Sequence, residues 1–99
     1  MSVIKEFEKD PAAKKDYLLD WSAWLPTGDT ISSSAWAIDV APDASLAIAG
    51  SPAPSNTTTT ATAWLTGGTL GQRYVLRNRV TTAGGRTDDR SVGITVKDL

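Results

Sequence analysis

The chain of 99 residues contains no cysteine and no histidine. The first absence excludes disulfide staples, thiolate metal sites and cysteine nucleophiles. The second removes the serine–histidine–aspartate triad, zinc-finger and zincin ligand sets, and any imidazole switch. A dominant charge is lacking too: ten Lys and Arg stand against eleven Asp and Glu, for a formal net charge of −1. That balance gives no electrostatic reason to bind nucleic acid or an anionic membrane. Long apolar runs are missing as well. The longest charge-free stretch, Ala44 to Gln72, is full of Ser, Thr, Pro and Gly and is no membrane span. Lys5, Glu6, Glu8, Lys9, Asp10, Lys14 and Lys15 crowd the N-terminal segment, which has no apolar stretch of a secretory signal. The expectation is a protein that stays in the cytoplasm where it is made, unless it leaves within an assembly.

What is present is a strand pattern with almost no helical period. Residues 1–15 read as a polar, flexible N-terminal leader broken at Pro11, either a frayed end or an arm that orders on a partner. Six strand signals follow. They are Asp16–Trp21, Thr30–Val40, Leu46–Ala49, Thr57–Thr66, Gln72–Thr82 and the stretch through Arg90, Val92, Ile94 and Val96. Turns fall between them at Pro26–Gly28, Gly50–Asn56, Gly67–Gly71 and Ala83–Thr87. This rhythm predicts an all-β, immunoglobulin-like β-sandwich of about six to eight antiparallel strands over residues 16–99. Tyr74, just past a glycine-rich corner, suits the tyrosine that bonds back to the backbone at such corners. The expected core is Trp36, Trp64, Tyr74, Leu76, Val80, Val92, Ile94 and Val96.

Catalytic and cofactor constellations do not emerge. Asp88 and Asp89 are adjacent and point to opposite strand faces, while Asp16 and Asp20 sit about 13 Å apart along a strand. Neither pair suits a glycosidase, and no loop has calcium-ligand spacing. Gly67–Gly68 and Gly84–Gly85 lack the strand–loop–helix setting of a phosphate loop and read as turns. All five arginines lie in the last 27 residues, with Arg73, Arg77 and Arg79 on one parity of one strand. They form either a partner-facing basic stripe or a solvated face balanced by Asp88 and Asp89. Trp21 and Trp24 make a second candidate contact: one core residue with one exposed anchor, or two that cover the sandwich end.

Several segments taken in order carry a family resemblance. They are Lys9-Asp-Pro11, Asp16-Tyr-Leu-Leu-Asp-Trp-Ser-Ala-Trp-Leu25, Gly28-Asp-Thr-Ile31 with Ser34 and Trp36, Thr60-Ala-Thr-Ala-Trp-Leu-Thr-Gly-Gly-Thr69, Tyr74, Asn78 and Thr81 through Ser91. The set resembles the phage fibre–tail adaptor proteins over residues 9–97. The resemblance implies a non-enzymatic structural component of a phage or prophage tail, without cofactor, that joins the distal tail or baseplate to tail fibres. Its implied partners are other tail proteins, with no nucleic acid and no membrane, and its place is the host cytoplasm during assembly and then the virion tail. In isolation a monomer is expected. The alternative is a carbohydrate- or cell-surface-binding module, which needs an exposed aromatic platform from Trp21, Trp24 or Trp64.

Overall fold

Large side chains alternate with small or polar ones over several short runs, and each run becomes a strand with one face turned inward. The computed structural model describes residues 3–99. Eight strands appear in it: β1 (Val3–Lys9), β2 (Lys15–Asp20), β3 (Ile31–Val40), β4 (Leu46–Ile48), β5 (Ser55–Asn56), β6 (Thr60–Gly67), β7 (Arg73–Thr82) and β8 (Thr87–Val96). They form two sheets of order β1-β8-β7-β3 and β2-β6-β4, with β5 also paired to β6. The architecture is the all-β sandwich read from the sequence.

The β7–β8 hairpin supplies most of the core. Tyr74, Leu76 and Val80 from β7 face inward with Val92, Ile94 and Val96 from β8, all without solvent exposure. The second sheet answers with Ala61, Ala63 and Leu65 of β6, beside Tyr17 and Leu19 of β2. Tyr74 is the expected corner. Its hydroxyl accepts from Thr69 N at 3.0 Å and donates to Asp43 Oδ1 at 2.7 Å. Asp43 also takes bonds from Ser45 Oγ at 2.6 Å and Thr69 Oγ1 at 2.7 Å, so one carboxylate ties together the loops before β4 and β7. These donors hold the Asp43 carboxyl well below the usual range, Ser45 contributing most.

Three expectations need correction. The leader is a strand where it is described, and Met1 and Ser2 lie outside the described residues. β1 runs parallel to β8, with Phe7 opposite Ile94 and Lys9 opposite Val96, so the sandwich starts before residue 16 and is not wholly antiparallel. Phe7 packs on Tyr17 at 5.0 Å between ring centroids, and the buried Lys9 donates through Nζ to the carbonyls of Gly67 (2.7 Å) and Asp10 (2.9 Å). An edge strand needs only one buried face, and Lys5, Glu6 and Glu8 gave this one the look of a solvated arm.

Trp64 is the second correction: it lies on the outer face of β6, half-buried, while Ala61, Ala63 and Leu65 occupy the inner parity. Opposite them stand the bulky inner residues of β7 and β8, which leave room for alanines rather than an indole. The third concerns β3. Trp36 is half-buried at the margin of the core, and Val40 is 49% exposed, because a register shift between Ile38 and Val40 turns the strand's end over.

Candidate partner interface

Strand β7 presents two different faces. With Tyr74, Leu76, Asn78 and Val80 inside, the opposite parity sets Arg73, Val75, Arg77 and Arg79 on the outer face of the first sheet, as their spacing predicts. Each guanidinium there meets a carboxylate from a different part of the chain. Arg73 grips Glu6 of β1 through Nε at 3.1 Å and Nη2 at 2.7 Å. The pair closes above Gly93 of β8, where an added Cβ would collide with both side chains. Arg79 holds Asp89 through Nε at 2.7 Å and Nη2 at 2.9 Å. Arg77 is looser: its Nε lies 3.5 Å from Asp39 of β3.

These contacts fix the charges. The hydrogen bonds from Arg73 hold Glu6 below its ordinary pKa, and those from Arg79 do the same for Asp89. Both arginines are pushed higher in return. The stripe is thus a row of neutralised pairs rather than a free basic field, and Asp88 is not among its partners. Between Arg77 and Arg79 the small side chains of Ala35 and Ala37 leave a hollow of about 90 Å³ that Trp36 also lines. The Trp36 Nε1 donor is buried and has no hydrogen-bond partner.

The two tryptophans proposed as contacts separate. Trp21 has no exposed surface, which removes it as a contact residue. Its indole N–H donates to Asn78 Oδ1 at 2.9 Å, while Asn78 Nδ2 donates to Ala35 O at 3.0 Å. Arg90 covers the ring at 4.1 Å, a cation–π contact. A side chain so enclosed and so fully bonded is part of the core. Trp24 is half-buried and meets Trp21 edge-on at 5.2 Å, so the pair covers one end of the sandwich.

Sequence reasoning missed a surface on the opposite flank. Between β1 and β2 runs a groove of about 630 Å³, floored by Phe7 and Tyr17 and bordered by Leu18 and Leu99. Burial pushes the Tyr17 hydroxyl up to about 12, with Asp16 adding to the effect. Its signal in the sequence was slight: Leu18 is one large apolar residue on the outward parity of β2. Among the described residues no cluster of three or more His, Cys, Asp or Glu side chains suits a metal ion. No helix among them is long and apolar enough to cross a membrane.

Two packed sheets and a tyrosine corner are the features of an immunoglobulin-like domain. The PKD domain of the KIAA 1837 protein, a solution structure, shares this fold with a TM-score of 0.53 and 22% identity, over 97% of this chain and 81% of that one. A comparison with curated proteins returned no match. Residues 9–95 match the family described as the podophage GP4 fibre-tail adaptor protein gp77. The chain belongs to that family, and its role is that of a structural tail adaptor.

Proposed function

We propose that this protein is a non-enzymatic adaptor that joins the distal tail or baseplate of a phage or prophage to its fibres. It assembles in the host bacterial cytoplasm and travels in the virion tail, as a monomer until it meets its partners. The observation that carries this reading is membership of a fibre–tail adaptor family over nearly the whole chain. The outer face of the first sheet supports it physically. Arg73 and Arg79 are each held by two hydrogen bonds to a carboxylate before any partner arrives, so little of their side-chain entropy remains to be lost on contact. Arg77 is the anchor of this face, because its long contact to Asp39 leaves guanidinium donors open.

The test is the double variant Arg77→Glu/Arg79→Glu, mixed with the phage's purified tail and fibre proteins. Circular dichroism should show an intact fold, because exposed pairs contribute only about 0–1 kcal/mol each. Co-purification should fall at least tenfold. A folded variant that assembles like the wild type would reduce the stripe to a solvated face.

One observation favours the carbohydrate-binding alternative: Trp64 stands outward on β6 between Thr62 and Thr66, the make-up of a small sugar platform. Glycan titration followed by tryptophan fluorescence decides it. Saturable quenching in wild type that is absent in Trp64→Ala would establish that reading.

A further inference from the structure

The two flanks of the sandwich end differently. On one side β3 carries register shifts near both ends, and β4 and β5 have three and two residues beside a proline-containing loop. Bulges and very short strands are the usual protections of a sheet edge. On the other flank the strands are longer, and the one register shift lies at the start of β1, between Val3 and Lys5. There β1 and β2 are the outermost strands of their sheets, β2 stays in register with β6 from Lys15 to Asp20, and β1 keeps step with β8 from Lys5 to Lys9.

The ladder phase shows what this edge offers. Trp21 N donates to Thr59 O at 2.8 Å, so the odd residues of β2 bond to β6 and the even ones turn their N–H and C=O outward. Asp16 and Leu18 therefore present free backbone groups. On β1 the corresponding carbonyl of Glu8 is already taken, by the Tyr17 hydroxyl at 3.2 Å. The receptive strand is β2. Beside it lies the groove floored by Phe7 and Tyr17, and Leu18 and Leu99 are 49% and 70% exposed.

We propose that the β2 edge binds an extended segment of a partner protein by strand addition. Alternate side chains of that segment are apolar and enter the groove, while the others carry Lys or Arg beside Asp16 and Asp20. Charge selects this occupant. Of the acids that line the groove, Glu6 is held by Arg73 and Glu8 by Lys97, which leaves Asp16 as the one with no ion-pair partner among the described residues. A second copy of this chain fits less well. Two such flanks bring groove against groove, and β2 paired with itself about Leu18 sets Asp16 opposite Asp20 twice, a like-charge contact. The slender shape of a single strand, which fills a groove as well as an edge, is what strand-adding domains take up. That the partner is a tail or fibre protein rests on the adaptor reading; the edge chemistry does not.

The probe is a capped peptide of alternating Val and Lys, titrated into the isotope-labelled full chain and followed by amide NMR. The Asp16, Leu18 and Leu19 amides should shift saturably, and a Val–Glu peptide should bind at least tenfold more weakly. Leu18→Pro removes one outward N–H without touching the ladder to β6, so the folded variant should lose at least tenfold in affinity. Shifts that are absent, equal for both peptides, or unaffected in folded Leu18→Pro would overturn the proposal. So would concentration-dependent shifts of the same amides without peptide, with a dimer in sedimentation. The Arg77→Glu/Arg79→Glu variant should bind the peptide normally. A wild-type chain that binds the peptide but captures no purified tail or fibre protein would count against the adaptor reading alone.

Discussion

The two ends of the sandwich interior are fastened by opposite means. At one, Trp21 lies with no exposed surface among Trp24, Asn78 and Arg90, and packing does most of the work. At the other, about 13 Å away along β7, the Tyr74 hydroxyl and the Ser45 and Thr69 side chains converge on the carboxylate of Asp43. The first end holds by volume and by one satisfied buried bond. The second holds loops, and it does so with charge-assisted hydrogen bonds at the surface. A domain without disulfides thus closes one end with a large side chain and the other with a polar knot.

If that division is right, the largest effect comes at the packed end. Trp21→Ala should lower stability by about 3–5 kcal/mol in urea denaturation, a large share of what a small domain possesses. Trp21→Phe separates the two contributions, because it keeps a ring and strands Asn78 Oδ1 without its donor; about 1–3 kcal/mol is expected. Equal losses would mean that the hydrogen bond, not the volume, closes this end.

A smaller effect belongs to the knot. Tyr74→Phe keeps the buried ring and removes only the hydroxyl, for a loss of about 1.5 kcal/mol. Thermal melting should detect it, and a loss as large as that of Trp21→Ala would erase the distinction. The smallest effect is one of pH. The Asp43 carboxyl is held down in the folded state, so its contribution is complete above the ordinary aspartate pKa. That contribution is lost as pH falls below that value towards the folded one. The stability gap between wild type and Asp43→Asn should therefore narrow between about pH 4 and pH 2. A gap that stays constant would show that the carboxylate's charge plays no part.

The sequence was most legible where both parities of a strand differ in kind. In β7 arginines alternate with Tyr74, Leu76 and Val80, and both the inner face and the arginine stripe follow from that alternation. In β6 the parities are Thr60, Thr62 and Trp64 against Ala61, Ala63 and Leu65, and size alone favours the wrong one. Only the bulk of the facing sheet decides it, and that is a fact of tertiary packing. Two of the arginines' three partners were unreadable for a similar reason. Glu6 and Asp39 come from strands that pairing brings to this face, and no local spacing announces them, whereas Asp89, beside the last hairpin turn, was legible as a balancing charge. The groove depends on β1, whose buried side is essentially Phe7 and Lys9.

The parallel pairing of β1 with β8 also governs the order in which the domain can be completed. Val3 finds its partner only at Ser91, roughly 90 residues later in the chain. At a ribosomal rate of about 5–20 residues per second, β1 waits roughly 5–20 s for its seat to be synthesised. Until then Phe7 has no Ile94 beside it and Glu6 no Arg73. No other strand pairing among the described residues joins segments so far apart, so β1 docks only once β8 has been made, whereas β2 with β6 and β3 with β7 can pair before that.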